Sequence, residues 1–372
     1  MAKKGSDLGA VIANIEKSLG NKKEPKLSVF SEMDHGSVEV VSWGIKELDE
    51  ASGLGGIPRG RLIELFGPES SGKSYVSLKA IASFQRAGLK AGLIDLERTL
   101  TEKWAKIHGV DTSNLLYGMD FSGEEALNYI KAMCHSKMDL LVLDSTAALV
   151  PQAEIDGQIG EGRMAGLAAL MSTGIKQILQ AAGESGTTVI FINQIRMKPG
   201  VVYGNPEDTP GGKALKFYAH QRLRVHRMCL IKRKGEGDKE DIIGIKSKVK
   251  FEKNKLAPPF TEAEFELYFS EDGNDPIVNL VQIASKKPYL VLKRKKVGDD
   301  MHYFWEDEDT ECLNTPDVAE WLEANEKVVK LLDVVETKTA ELKLQLPEEI
   351  TAIRAKLQAP VAETQIVQEA QS

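Results

Sequence analysis

The segment Gly67-Pro68-Glu69-Ser70-Ser71-Gly72-Lys73-Ser74 constrains this chain more than any other. It is a full match to the phosphate-binding loop GxxxxGK[ST], and it stands between an apolar run at 62–66 and a stretch of helical periodicity. Strand, loop and helix in that order turn backbone N–H groups toward an anion at a helix N-terminus. In such a loop Lys73 reaches the terminal phosphates and the Ser74 hydroxyl ligates Mg²⁺. A chain built around this unit is expected to form a mostly parallel sheet flanked by helices. The pattern from 39 to 270 agrees, because strand-like runs at 91–96, 140–143 and 188–193 alternate with helical stretches.

Those further strands each deliver a polar side chain with a chemical use. Asp144 follows the run at 140–143, where an acid downstream of a phosphate loop holds the Mg²⁺ shell. Glu97 follows Leu93-Ile94-Asp95-Leu96, and hydrolysis of a nucleotide needs a carboxylate there to orient and deprotonate water. Gln194 ends the run at 188–193, and a neutral amide in that place suits a contact to the γ-phosphate. Acids and amides also end strands simply as caps; residue type alone does not separate the two readings for Glu97, and for Gln194 it favours the cap.

The rest of the chain divides by texture. Residues 1–38 form a polar arm with one amphipathic helix, since Leu8, Val11, Ile12, Ile15 and Leu19 recur at helical spacing. Its apolar face is expected to pack on the main domain or on a neighbouring subunit. Residues 39–270 form the core, and 271–335 a small α+β domain with strands at 286–296 and 302–306 and a helix over 315–332. Residues 336–372 are Glu/Lys/Gln-rich with Pro347 and Pro360 and read as a polar tail, partly helical or disordered.

Bulk properties argue against membranes and zinc more firmly than they choose a ligand. No apolar run is long enough to span a bilayer, and Met1-Ala2-Lys3-Lys4 opens no secretory signal. Cys134, Cys229 and Cys312 are far apart and the six histidines show no HExxH spacing, so neither a disulfide framework nor a zinc site is expected. A reduced, cytoplasmic setting follows. The net charge of −7 argues weakly against nucleic acid, but binding needs only a local basic surface.

Several segments resemble the bacterial RecA recombinases. The phosphate loop is similar in its Pro-Glu-Ser-Ser interior, Pro151-Gln-Ala-Glu-Ile-Asp-Gly157 with Ile159-Gly160 resembles the first DNA loop, and Phe191-Ile-Asn-Gln-Ile-Arg-Met-Lys198 through Gly204-Asn-Pro-Glu207, Gly211-Gly212 and 214–218 resembles the second. Lys253-Asn-Lys255 with Ala257-Pro-Pro-Phe260 resembles the segment that crosses the subunit interface. The likeness is dense over 40–270 and weaker outside it.

The resemblance implies an ATP- and Mg²⁺-dependent α/β core that assembles as a helical homo-oligomeric filament on single-stranded DNA and pairs it with double-stranded DNA, in recombination and repair. It implies Glu97 as the water-activating glutamate, Gln194 as the γ-phosphate switch, Trp104 as the adenine-stacking ring, and Lys253 and Lys255 as cations supplied to a neighbour's nucleotide. For DNA it implies Arg163, Met164, Lys176, Arg196, Met197, Lys198, Pro199, Gly211 and Gly212, with Pro199 as the apolar wedge where the family carries a β-branched aliphatic. Thr101 replaces the usual aspartate, Tyr75 the usual threonine, and Ala168-Ala-Leu170 lacks an arginine that Arg163 is placed to supply. The basic run 286–296 with Tyr303-Phe-Trp305 suits capture of duplex DNA or a plain solvated strand, and 222–227 with 232–234 suits the wet face of a hairpin. Two other functions use the same core. A ring-forming helicase would lack the lysine pair and the glycine-rich second loop, and a non-catalytic scaffold would lack the set Lys73, Ser74, Glu97 and Asp144.

Overall fold

The computed structural model describes residues 8–18, 27–29, 38–157, 166–197, 207–234, 240–269, 276–285, 289–297, 300–305, 308–312, 315–342, 350, 351 and 354. The chain divides into two compact units, 1–39 and 40–372. The first holds α1 (Leu8–Ser18), which buries none of its residues and exposes Leu8, Val11 and Ile15 along one face.

The second unit opens with β1 (Val40–Val41), α2 (Lys46–Ala51) and β2 (Ile57–Pro58), the two strands pairing antiparallel. There follow β3 (Leu62–Gly67), α3 (Lys73–Arg86), β4 (Ala91–Asp95), α4 (Glu102–Ile107), β5 (Leu115–Gly118), α5 (Gly123–His135), β6 (Leu140–Asp144), α6 (Gln152–Ile155), α7 (Gly166–Ser185) and β7 (Thr188–Gln194). A two-stranded ribbon, β8 (Arg196–Met197) with β9 (Glu207–Asp208), precedes α8 (Ala214–Tyr218), β10 (Gln221–Lys234), β11 (Glu240–Asn254) and β12 (Glu262–Tyr268).

The main sheet has eight strands in the order β12-β11-β10-β3-β7-β6-β4-β5. From β10 to β5 all neighbours are parallel, and β11 runs antiparallel to both β10 and β12. Every residue of β3, β4 and β6 is buried, as expected where helices cover both faces of a parallel sheet. Period-two alternation sorts the two faces. Ile63 and Leu65 pack with Trp43, Val76, Ile81 and Phe84, whereas Leu62 packs with Leu127, Ile130, Met171 and Ile175. The helix α5 starts on a capping box, Ser122 and Glu125 closing each other's backbone N–H groups.

The C-terminal part holds α9 (Pro276–Ser285), β13 (Leu292–Val297), β14 (Asp300–Trp305), β15 (Glu308–Asp309), α10 (Thr315–Ala324) and α11 (Val328–Glu341). Leu280, Tyr289, Leu292, Trp305, Leu322, Leu331 and Val335 form its own core, onto which Tyr268 and half-buried Ile231 and Ile243 of the long hairpin also pack. Three expectations need correction here. The run at 286–296 is strand only from Leu292, because Leu290 takes a left-handed conformation at φ +47°; residues 286–288 lie outside the described set. The stretch 315–332 is two helices, broken where Glu326 takes φ +54°. The limit drawn at 335/336 falls inside α11, which buries Val328, Leu331, Leu332, Val335 and Thr339 and runs on to Glu341. Beyond it Ile350 is fully buried in the same core, and Arg354 pairs with Asp333 and Glu336. Among the described residues no helix is long and apolar enough to cross a membrane.

Candidate functional site

Sheet register brings the candidate nucleotide residues to one edge. Gly67 on β3 pairs with Gln194 on β7, and Asp95 on β4 pairs with Asp144 on β6. With strand order β3-β7-β6-β4, the phosphate loop, Gln194, Asp144 and Glu97 stand side by side at the carboxyl ends, where open α/β sheets bind ligands. Gly67 itself tolerates no side chain, since a Cβ there would lie 2.0 Å from the Val225 carbonyl oxygen. Gly72 takes φ +95°, a left-handed turn that only glycine adopts without strain. Between them Pro68, Glu69 and Ser70 are exposed, and buried Ser71 donates to the Pro68 carbonyl at 2.8 Å.

Lys73 and Asp144 are both buried without a full complement of countercharge. Lys73 Nζ donates to the carbonyls of Gly67 at 3.1 Å and Pro68 at 2.6 Å. Burial holds its pKa below the usual lysine value, against the pull of Asp144, Glu97 and Glu69. Burial first, then the charges of Glu97 and Asp95, push the Asp144 carboxyl up to about 6. Ser74 Oγ donates to Asp144 Oδ2 at 2.8 Å. A buried cation held on carbonyls beside a buried acid held on one hydroxyl fits a polyphosphate with a divalent cation, which would satisfy both. No group of three or more His, Cys, Asp or Glu able to hold a metal occurs among the described residues. Mg²⁺ needs only one or two protein ligands when phosphates and water complete its shell.

Glu97 is exposed, and its Oε1 accepts from Gln194 Nε2 at 3.1 Å and from the Ser145 hydroxyl. Neither Ser145 nor Asp95 is singled out by sequence, yet both shape this group. Asp95 is buried and accepts the N–H groups of Glu97 at 3.1 Å and of Thr99 and Leu100 at 3.0 Å each. The Tyr117 hydroxyl also donates to it at 3.1 Å. An acid followed by a polar stretch at a strand end is the local signal for such a turn.

Trp104 lies on α4, half-buried against the core. Its backbone N–H donates to Thr101 Oγ1 at 3.2 Å, so Thr101 serves as the N-cap of that helix. The Trp104 ring meets His108 edge-on at 4.2 Å, His108 meets Tyr75 edge-on at 5.0 Å, and Tyr75 stacks on Phe265 at 5.4 Å. Tyr75 is thus part of a packed row of rings.

Of the candidate DNA residues, Arg163, Met164, Lys198 and Pro199 lie outside the described set. The root of the second loop is described and firmly held. Arg196 pairs with Asp208 and Met197 with Glu207, both Arg196 and Met197 being exposed. Glu207 meets Arg224 at 2.8 Å, and Asp208 forms an ion pair with Lys216. The loop returns through Gly211 and Gly212, where Cβ positions would lie 3.1 Å from Met171 and 3.2 Å from Ala168. The second loop therefore returns against the start of α7, the helix that follows the first loop. Lys176 is exposed on α7 but stands apart, about 15 Å along the helix from Gly166 at 1.5 Å per residue.

Lys253 Nζ donates to the carbonyls of Lys216 at 2.7 Å and Phe217 at 2.9 Å, and Lys255 Nζ reaches Phe217 at 3.3 Å. Both ammonium groups converge on the carboxyl end of α8, Lys253 from the end of β11 and Lys255 from just beyond it. Elsewhere β13 exposes Lys293, Arg294, Lys295 and Lys296, with Arg294 over the Tyr303 ring at 5.0 Å and Lys295 over Phe304 at 4.7 Å. The hairpin run is wet only at its far end. Arg222 and Arg224 are half-buried in ion pairs with Glu64, Glu207 and Glu252, while Arg227 and Lys232 are exposed.

Known proteins resemble this chain in sequence over most of its length. The sequence profile of the RecA N-terminal domain matches residues 6–274. Protein RecA of Thermus aquaticus is 44% identical over 282 residues, covering 76% of this chain and 81% of its own. Protein RecA of Clostridioides difficile is 44% identical over 279 residues, or 75% and 78% of the two chains. Protein RecA of Leptospira biflexa is 39% identical over 349 residues, or 90% and 87%.

Proposed function

Because this chain belongs to the RecA family, we propose that it is a DNA-dependent ATPase that assembles as a helical filament on single-stranded DNA and exchanges that strand into a homologous duplex. The observation that carries the reading is the meeting of Lys73, Ser74, Asp144, Glu97 and Gln194 on four adjacent strand ends, with the root of the second loop leaving β7 directly after Gln194. Sensor and DNA loop then belong to one element, so nucleotide and DNA bias the same equilibrium. A cytoplasmic place and work in recombination and repair follow from the same reading.

In this reading Lys73 leaves the carbonyls of Gly67 and Pro68 for the terminal phosphates, and Ser74 with Asp144 would hold Mg²⁺. Bound there, the metal would neutralise charge on the phosphate oxygens. Glu97 accepts a proton from water as the water oxygen bonds to the γ-phosphorus and the bond to the β–γ bridging oxygen breaks, releasing ADP and inorganic phosphate. Gln194 exchanges its Glu97 partner for the γ-phosphate and changes when that phosphate departs. Lys253 and Lys255 leave the end of α8 to neutralise a neighbour's nucleotide, so turnover requires assembly. Trp104 turns a ring face to adenine. Arg163, Met164, Arg196, Met197, Lys198, Pro199, Gly211 and Gly212 receive the strand, backbone N–H groups and cations taking phosphates while the apolar tip separates bases. The exposed cations of β13 take the incoming duplex. A head-to-tail interface that does not close gives a helical polymer.

The test is ATP hydrolysis by the full chain with and without single-stranded DNA, alongside negative-stain images. DNA-stimulated turnover with helical filaments supports the reading. Closed rings, or DNA binding without turnover, would overturn it.

A further inference from the structure

Glu64 is fully buried in the middle of the main sheet, where a carboxylate persists only when its oxygens are taken. It sits on β3, in the strand that leads into the phosphate loop, and both oxygens are used. Oε1 accepts from Asn193 Nδ2 at 3.1 Å, and Oε2 accepts from Arg222 Nε. Asn193 is just as buried, and its amide is fully engaged. Its Oδ1 accepts the Gln194 N–H at 3.0 Å, and its Nδ2 also donates to the Pro210 carbonyl at 3.2 Å. Pro210 stands where the second loop returns, immediately before Gly211. Arg222 in turn lies over the Phe66 ring at 4.3 Å, approaches Glu252 at 3.8 Å and is the register partner of Lys253.

One connected set therefore touches the phosphate-loop strand, the residue beside the amide sensor, the loop return and the strand of the lysine pair. Glu64 and Asn193 have no part in the chemistry described above. Their neighbours in Leu62-Ile63-Glu64-Leu65-Phe66 and Val189-Ile190-Phe191-Ile192-Asn193 are otherwise apolar. A buried polar pair in that setting is commonly replaceable by apolar side chains at no loss of stability. Its presence instead specifies geometry, since every donor and acceptor in it has one partner arrangement.

We propose that Asn193 and Glu64 are positioning residues that make the Gln194 sensor and the return of the second DNA loop move as one body. The proposal rests on the ATPase reading of the site and deepens it. The backbone of Gln194 is tied to Asn193 Oδ1, so the sensor cannot shift without drawing on Asn193. Asn193 cannot shift without drawing on Pro210 and on Glu64, whose other oxygen holds Arg222 beside Lys253.

The experiment compares the affinity of the full chain for a fluorescent oligodeoxythymidine with Mg²⁺ and a slowly hydrolysed ATP analogue against the affinity with Mg²⁺ and ADP. The ratio of the two dissociation constants measures coupling, and a uniform loss of stability or binding does not change it. Asn193→Ala is expected to lower the ratio by about tenfold, the size of an ordinary coupling. Glu64→Gln, nearly isosteric, has one acceptor oxygen for two donors, so either Asn193 or Arg222 loses its partner; the ratio should fall at least about threefold. The second variant keeps the test decisive should Asn193→Ala fail to fold. Folded variants that keep the parent ratio within about twofold, less than the smallest usual coupling, refute the proposal. A parent ratio near one would instead overturn the ATP-gated reading on which it rests.

Discussion

Replacing Asp144 by asparagine should make the nucleotide-free protein more stable while nearly silencing the enzyme. The Asp144 carboxyl is buried and its pKa stands at about 6, against an ordinary value of 3.8. At 1.36 kcal/mol per pH unit, that difference of about 2 corresponds to about 3 kcal/mol of penalty on the charged form in the folded protein. The sign follows from the direction. A pKa raised on folding contributes stability that is fully present below pH 3.8 and lost as pH rises through about 6. Above pH 7 the wild-type protein therefore carries the whole penalty, and near pH 4 it carries little.

Asparagine keeps an acceptor for the Ser74 hydroxyl but never bears the charge, so it escapes that penalty. Part of the gain is offset by holding a polar amide in the same buried place, leaving about 1–3 kcal/mol at pH 8. The assay is the denaturant midpoint of both proteins, without nucleotide, across pH 4 to 8. The variant should be the more stable above pH 7, with the gap closing as pH falls toward 4. In parallel, the Mg²⁺ concentration needed for ATP turnover should rise by at least about tenfold, the smallest effect usual for losing even an outer-shell partner of a metal. A variant destabilised equally at pH 4 and pH 8 would refute the reasoning, because Asp144 would then be charged and well compensated in the empty site.

Glu97→Gln keeps an acceptor for Gln194 and Ser145 but cannot take a proton, so turnover should fall roughly 10²-fold or more while filaments still extend with ATP. Failure to extend in electron micrographs would make Glu97 structural. Mixing that protein with Lys253→Ala/Lys255→Ala should restore part of the turnover that neither has alone, and no recovery in co-assembled filaments would rule out action in trans. Arg196→Ala with Lys198→Ala should reduce the slope of log affinity for single-stranded DNA against log salt by about one to two, and an unchanged slope would place the strand elsewhere. His108 is buried with both ring nitrogens unpartnered among the described residues, and burial lowers its pKa to about 4. A pKa lowered on folding contributes stability that is lost as pH falls from about 6.5 toward 4, so His108→Phe should gain about 1 kcal/mol at neutral pH and more at pH 5 in thermal melts. A less stable phenylalanine variant would show that the ring nitrogens have partners.

The candidate nucleotide end of the sheet is legible in the sequence because each candidate residue follows an apolar run of strand length. Parallel pairing alone then lines up Gly67, Gln194, Asp144 and Glu97, and register supplies the adjacency that no local pattern contains. The residues that hold this group are illegible for the opposite reason. Glu64 and Asn193 sit inside runs whose apolar average hides them, and the partners that explain them, Arg222 and Pro210, are 158 and 17 residues away in sequence from Glu64 and Asn193 respectively. Trp104 illustrates a third limit, since a ring at that position serves a base or a core equally well, and its edge-on contact with His108 follows from no local pattern. The part of α11 beyond Leu332 is hidden by composition: its lysines and glutamates dominate any average, while Val335 and Thr339 continue the helical spacing of Val328, Leu331 and Leu332 that buries one face. Charge behaves likewise. A total of −7 coexists with exposed Arg196 at a loop root and with four consecutive exposed cations on β13, because a polyanion meets a local surface and not a sum. Residues that act on a ligand must stand at fixed offsets from a strand end and so leave a motif. Residues that only orient them are bound to distant donors and acceptors, and the folded chain alone brings those together.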